Sequence, residues 1–353
     1  MSNCNVKRNN GYDLLRILAT IAVVLIHVNA MFFSKRIGEN TWQTNYIVEN
    51  IINIVTRFSV PAFMMISGAF ALSNPQNADI KRFYCKSIYK IYVPLVLPVL
   101  FLMMVSVAGG ASIVSVIKLL LVGDYYNLWF LYTLFFLYLL VPFMVRLKNA
   151  ISLRAYRISG VVFLLLTCAT QGFSEYNVPY AMGLVFSYLA YFVMGNILYE
   201  WLNTLGRERK PWYIHPIILL TGMILLYAAT FLIRQWGYHK YEFNPFTCFF
   251  SPTIAAASIL MFILFGRINI KVNLYGIASR TFYVYVFHTA VFIFVFRYLG
   301  TYLPSNELLS IAAVSAITIV VSFLVALIYD LVWKGIEKIF SLKKKWCAMR
   351  IWS

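Results

Sequence analysis

The chain has 353 residues, of which 61 % are hydrophobic, 18 % aromatic and only 12 % charged. That leaves too little polar surface to keep a soluble domain of this size dispersed, and it defines a polytopic membrane protein. The formal charge of +18 does not mark a nucleic-acid partner, because the lysines and arginines sit in short clusters between apolar runs, where membrane topology places them. Cys4, Cys85, Cys168, Cys248 and Cys347 are scattered without the spacing of a disulfide framework or a zinc site, so no metal is expected.

Roughly 20 mostly apolar residues cross the hydrocarbon as a helix. By that measure the sequence predicts an all-α bundle of about ten transmembrane helices, over 14–33, 46–73, 91–110, 127–145, 157–172, 180–200, 213–233, 249–266, 279–297 and 308–333. The first run follows Lys7 and Arg8 as a signal sequence would, yet it is too long, carries charge and precedes no small-residue cleavage site, so it reads as a retained span. The stretch ASIVSVIKLLLVG (111–123) has apolar residues at helical spacing and one lysine, and reads as an interfacial helix. With the N-terminus inside, 22 of the 30 lysines and arginines fall on cytoplasmic segments. Six fall on outer loops, namely Lys35, Arg36, Lys118, Arg234, Lys240 and Arg297. This bias places both termini in the cytoplasm, as short tails 1–12 and 334–353 of a single domain filling 1–353.

The first span, YDLLRILATIAVVLIHVNAMFF, carries two polar residues where they are costly. Arg16 and His27 share a helix face, since eleven residues at about 100° each fall within roughly 20° of three full turns, and they lie about 16 Å apart along the axis. An ionisable group at membrane depth faces a protein interior or a wet cavity. Arg16 reads equally well as a functional group or as an arginine snorkelling to headgroups beside Asp13; His27 lies deeper, and function outweighs a structural hydrogen bond there. The second span, IVENIINIVTRFSVPAFMMISGAFAL, holds Arg57 at a similar depth. A permanent cation there needs an anion, a wet cavity or a carboxylate such as Glu49, eight residues away on nearly the same face. Pro61 frees a backbone carbonyl in mid-helix, and Ser67 with Gly68 allows close helix approach.

The next loop, KRFYCKSIYKIYVPLVLP, aligns Arg82, Lys86 and Lys90 as a basic stripe, suited equally to anionic headgroups or to the phosphates of a nucleotide-like donor. Further on, NLWFLYTLFFLYLLVPF (127–143) opens the fourth span with Trp129 near the outer interface. In ASRTFYVYVFHTAV (278–291), Arg280 and His288 stand eight residues apart, with Tyr285 between them and His288 near mid-membrane, where structure or ligand contact is favoured over chemistry.

The run from Tyr12 to His27, with an arginine, ten residues and then a histidine, resembles the start of the type-3 acyltransferase family, integral membrane enzymes that acylate cell-surface sugars. RFSVPAFMMISGAF is similar to that family's second-helix signature, NLWFLYTLFFLYLLVP to its Trp-Phe-Leu segment, and FYVYVFHTAV to its Tyr and His segment near the end. The four fall in the family's order, and the resemblance covers residues 12 to about 335. One departure stands out. The family usually has two arginines separated by two residues before the third helix, taken to contact acyl-CoA; counting back from Pro94, those places hold Ser87 and Lys90, with Lys86 adjacent.

The resemblance implies an O-acyltransferase of the plasma or inner membrane, most often an O-acetyltransferase. It would move the acyl group of cytoplasmic acetyl-CoA, or another acyl-CoA, to a hydroxyl of a cell-surface polysaccharide or lipid-linked glycan, the donor being a co-substrate and not a resident cofactor. On this reading His27 is the base or the acyl carrier, Arg57 stabilises the tetrahedral oxyanion and Arg16 orients the thioester arm. Arg82, Lys86 and Lys90 hold the donor, and Glu49, Trp129, Ser67, Tyr285 and His288 line the substrate pocket. The rival reading is a transporter or flippase of an anionic solute or polymer precursor, with protons cycling on His27; neither repeat symmetry nor paired broken helices favour it in the sequence. Acceptor choice would fall to the outer stretches TWQTN, QGFSEYN and GYHKYEFNP, and the sequence leaves the oligomeric state open.

Overall fold

A computed structural model of the chain describes residues 9–33, 44–122, 125–171, 180–205, 211–241 and 248–339. Helix α1 (Asn10–Phe33) is unbroken, so Arg16 and His27 do share one rod. The second expected span is interrupted: α2 (Thr44–Thr56) stops at Arg57, and α3 (Ser59–Leu72) restarts two residues later. Pro61 is the cause, because it has no N–H to offer the Arg57 carbonyl. The Arg57 amide meanwhile turns back onto the Ile54 carbonyl at 3.2 Å, in a tighter turn than an α-helix makes.

The third span is assembled from α4 (Ile80–Ser87), a π-helical turn at Ile88–Tyr92 and α5 (Val93–Ala108). Asp79 caps α4 by accepting from the Arg82 amide at 3.0 Å. Inside α5, Pro98 leaves the Pro94 carbonyl without its helical donor, and the Tyr329 hydroxyl donates to that carbonyl instead. Helix α6 (Ile113–Val122) has ten residues, too few to cross a membrane, in keeping with the interfacial reading of this stretch. The remaining helices are α7 (Trp129–Ala150), α8 (Leu153–Gln171), α9 (Tyr180–Leu205), α10 (Pro216–Tyr241), α11 (Pro252–Arg267), the one-turn α12 (Tyr275–Ala278), α13 (Thr281–Leu299) and α14 (Glu307–Ile339). Among the described residues, eight helical segments are long and apolar enough to span a membrane; α9 and the shorter apolar α11 stand at the other two expected positions.

One boundary is corrected. Hydropathy ends the seventh span at 233 and leaves Arg234 in an outer loop, whereas α10 continues to Tyr241 and buries Arg234 to 3 % exposure. The helix continues because the guanidinium finds a partner inside the bundle. Arg297 likewise lies in the last turn of α13 and Lys118 in α6. The outer stretches expected to choose the acceptor lie largely outside the described residues.

At the centre, α3 and α9 press backbone to backbone. A Cβ on Gly68 would stand 1.8 Å from the Phe192 carbonyl oxygen, and one on Gly195 would stand 2.0 Å from that of Met65. The expectation that Ser67 and Gly68 permit close approach therefore holds, with Gly195 as the reciprocal notch. Lipid is as apolar as leucine, so such fitting, and not hydrophobic exclusion, selects the helix pairing. Around this pair, Leu15, Met64, Met65, Ile66, Phe192 and Phe262 form a fully buried core, while α5, α8 and α10 turn large apolar residues outward. Where α13 begins, Arg280 Nε meets Asp330 Oδ2 at 3.0 Å, and Lys334 meets the same oxygen at 2.8 Å.

Gly195→Val is expected to abolish the monodisperse folded protein in detergent, because its methyls must displace α3 backbone and not a flexible side chain. Gly335→Ala, at a helix position with nothing within 4 Å, is expected to leave the yield unchanged or raised. Size-exclusion profiles at matched expression read both, and equal profiles would refute the packing argument.

Candidate active site

At the end of the bundle where α1 begins, Arg82, Lys86 and Lys90 are all exposed, whereas Ser87, in the place of the first family arginine, is buried. Lys86 therefore presents the cation that Ser87 lacks. Lys90 lies within electrostatic reach of both Lys86 and Arg16. The Arg16 guanidinium sits 5.5 Å from the Phe70 ring centre, and Tyr138, within its reach, hydrogen-bonds Ser67. Ser67 thus stands in the Arg16 layer.

Past the middle of α1, the His27 ring lies 5.2 Å from that of His288 on α13. His288 is almost fully buried, with Nδ1 2.5 Å from the Tyr285 carbonyl; a ring nitrogen facing a carbonyl must carry the proton, so Nε2 is left with its lone pair and Thr289 Oγ1 3.3 Å away. The tautomer is fixed by the backbone of its own helix. One turn back, the Tyr285 hydroxyl donates to the Asn127 carbonyl at 2.5 Å, and its ring lies 5.2 Å from Phe130. Asn127 and Tyr126 both have positive φ, at 59° and 48°, a conformation costly outside glycine that the surrounding contacts must enforce. Trp129, two residues after Asn127, stacks on Tyr188 at 5.6 Å. Helix α7 accordingly begins beside Tyr285, whose ring also lies against His288.

Arg57 occupies the break between α2 and α3. Its Nε donates to Asn53 Oδ1 at 3.1 Å, and its guanidinium lies 5.1 Å from the Phe249 ring centre. The suggested Glu49 partner is not the one found: among the described residues Arg57 bonds Asn53. Glu49 is fully buried on the same helix, and its backbone carbonyl accepts from Asn29 of α1 at 3.0 Å. Arg234 of α10 donates through Nη1 to the same Asn53 oxygen, also at 3.1 Å. The two guanidiniums, drawn to one oxygen, act on each other as like charges.

Three helices begin around this point. Phe63 in the first turns of α3 touches Phe130 of α7 at 5.9 Å, Tyr188 touches Trp129 of α7 and, at 4.8 Å, Phe250 just before α11, and Arg57 just before α3 touches Phe249. None of the three starts, with N-cap residues Phe58, Leu128 and Ser251, has a side-chain cap.

Of the residues singled out in the sequence, His27, His288, Tyr285 and Trp129 are joined by a run of ring contacts through Phe130, and Arg16, Ser67 and Lys90 form a second layer. Arg57 forms a third grouping with residues that sequence reasoning missed, Asn53 and Arg234. Asn53 lies four residues before Arg57 and was findable from that spacing, whereas the depth of Arg234 was not. Among the described residues no cluster of histidine, cysteine or carboxylate side chains could hold a metal ion. A family model described as an acyltransferase domain, that of the type-3 acyltransferases, matches residues 9–327. No curated protein and no solved structure matches the chain.

Replacing Asn53 tests the shared oxygen. Asn53→Leu leaves both guanidiniums without it and is expected to lower stability by about 2–4 kcal/mol, while Asn53→Asp supplies a charge between them and is expected to raise the melting temperature. Thermal unfolding in detergent measures both, and a lower melting temperature for the aspartate variant would contradict this electrostatic picture.

Proposed function

The chain belongs to the type-3 acyltransferase family, and from that premise we propose that this membrane acyltransferase is an O-acetyltransferase of the plasma membrane. It takes the acetyl group of cytoplasmic acetyl-CoA to a hydroxyl of a surface or lipid-linked glycan, with both of its own termini cytoplasmic. The observation that carries the reading is the placing of His27 beside His288 in the interior, on the same unbroken helix as Arg16.

Lys86 and Lys90, with Arg82, receive the donor's phosphates at the end of the bundle where α1 begins. Arg16, one layer further in, orients the thioester arm. A sugar hydroxyl is a poor nucleophile near neutral pH, so His27 takes its proton as the hydroxyl oxygen attacks the thioester carbonyl carbon. The new C–O bond forms, the carbonyl becomes an oxyanion, and collapse breaks the C–S bond, the proton passing to the departing thiolate. Arg57, a permanent cation in a poorly screened interior, favours the oxyanion. His288, held in one tautomer, packs His27 in place, and Tyr285 and Trp129 shape the acceptor side. Glu49 and Ser67 complete the lining at the two ends of this path.

His27→Ala at matched abundance is expected to bind acetyl-CoA as the wild type does and to lose about 10²–10⁴-fold in transfer to a glycan acceptor, measured by mass spectrometry. Equal transfer would remove His27 from the chemistry. Lys86→Ala with Lys90→Ala is expected to raise KM for acetyl-CoA severalfold with little change in kcat, and to flatten its dependence on salt. A change confined to kcat would place these lysines elsewhere.

A further inference from the structure

The segment that carries Arg82, Lys86 and Lys90 is not a plain α-helix. At Ile88–Tyr92 it opens into a π-helical turn, closed by the Val93 amide on the Ile88 carbonyl five residues back. Pro94 accounts for the opening, since it has no N–H for the Lys90 carbonyl and its ring crowds that carbonyl. Such turns are rare and occur frequently at functional sites. This one is fastened on both sides to α14. The Tyr89 hydroxyl donates to a Glu337 carboxylate oxygen 248 residues later in the chain, and the Tyr329 hydroxyl donates back to the Pro94 carbonyl. Tyr329 in turn packs on Tyr283 and Phe287 of α13, at 4.9 and 5.7 Å, and Phe287 directly precedes His288. By charge alone Glu337 is unexpected, because a carboxylate near cations that take an anion opposes the binding. Asp330, two turns earlier on α14, is taken up by Arg280 and Lys334, whereas among the described residues Glu337 bonds Tyr89 and forms no ion pair. Lys86 and Lys90 likewise have no carboxylate partner among the described residues, so Glu337 is not there to neutralise them.

We propose that Glu337 is a positioning residue for the acyl donor, acting through Tyr89 on the π-helical turn that presents Lys90. It does not touch the donor. Its carboxylate holds the Tyr89 hydroxyl, and with the Tyr329 bond to Pro94 this clamps the turn with Lys90 exposed. Lys90 is thereby set against α13 and α14 and not against its own helix alone. The donor's phosphates are fixed relative to the pair of histidines at which its thioester must arrive, and a fixed separation of this kind is what orients a reacting group. The inference rests on the acyltransferase reading only in naming the anion at these lysines as acyl-CoA.

Position and charge predict opposite signs, which three variants separate. Glu337→Leu removes the charge and the acceptor, Glu337→Gln removes the charge but keeps an oxygen for Tyr89, and Tyr89→Phe removes the hydroxyl alone. In the purified full-length protein in detergent, titrated with coenzyme A, Glu337→Leu and Tyr89→Phe are each expected to bind about three- to tenfold more weakly than the wild type. Glu337→Gln is expected to bind as tightly as the wild type or more tightly, and the double variant of Tyr89→Phe with Glu337→Leu no more weakly than either single one. In turnover the loss falls on KM for acetyl-CoA and leaves kcat unchanged. Tighter binding by Glu337→Leu, weakening by Glu337→Gln equal to that by Glu337→Leu, or additive losses in the double variant overturn the proposal. Tyr89→Phe, which lacks only an oxygen, decides the matter if Glu337→Leu fails to fold. Hydrogen exchange of amides 88–93 without donor gives an independent reading, expected to be faster in Tyr89→Phe and Glu337→Leu and unchanged in Glu337→Gln. Unchanged exchange in all three overturns the clamp. A wild type that binds no coenzyme A while exchange responds as expected would refute the acyl-CoA assignment and leave the clamp standing.

Discussion

Helix starts inside an apolar bundle govern the rest of this structure. A backbone amide that lacks a carbonyl one turn earlier has no water to turn to at that depth, so a helix that begins there leaves donors that something else must satisfy. In this protein α3, α7 and α11 all begin in the interior, none with a side-chain cap, and their first residues touch one another. Pro61 forces one of these starts, and the left-handed pair Tyr126 and Asn127 turns the chain into another. Such interruptions are tolerated where they line a site, and the polar residues of the bundle gather at the same place.

The site is thereby assembled from the ends of helices and the sides of others. His27 and His288 project from the unbroken α1 and α13, which gives them fixed spacing. Tyr285 joins the two kinds of element, since its hydroxyl holds the Asn127 carbonyl at the mouth of α7 while its ring lies beside His288. The notched packing of α3 on α9 then sets how close Arg57 and Tyr188 come to this group, because the two backbones meet at Gly68 and Gly195 with no side chain between them. A similar economy repairs the prolines: the carbonyl freed by Pro98 is answered by Tyr329, which ties α5 to α14.

Charge follows the same logic on both sides of His27. Towards the start of α1, the exposed Lys86 and Lys90 lead inward to Arg16, each within electrostatic reach of the next. On the other side, Arg57 and Arg234 both donate to one Asn53 oxygen, which ties α10 to the end of α2.

Much of this was legible from the chain alone. Composition and the length of the apolar runs determined a multi-span helical membrane protein, because the hydrocarbon thickness admits few other solutions. Arginine and histidine eleven residues apart determined a shared face on α1, since helical period is a local property. The four ordered motifs determined the family, which the match over residues 9–327 bears out. What only the tertiary structure decided is who meets whom. No spacing in the sequence places Arg234 on Asn53, because the two lie on helices far apart in the chain and hydropathy reads a terminal arginine as loop. Nor does any local pattern show Arg57 choosing Asn53 over Glu49, or three helix starts meeting beneath one set of aromatic rings. Period and hydropathy are fixed by neighbours along the chain, whereas partners at depth are fixed by which backbones can approach, and that is settled only when the whole bundle closes.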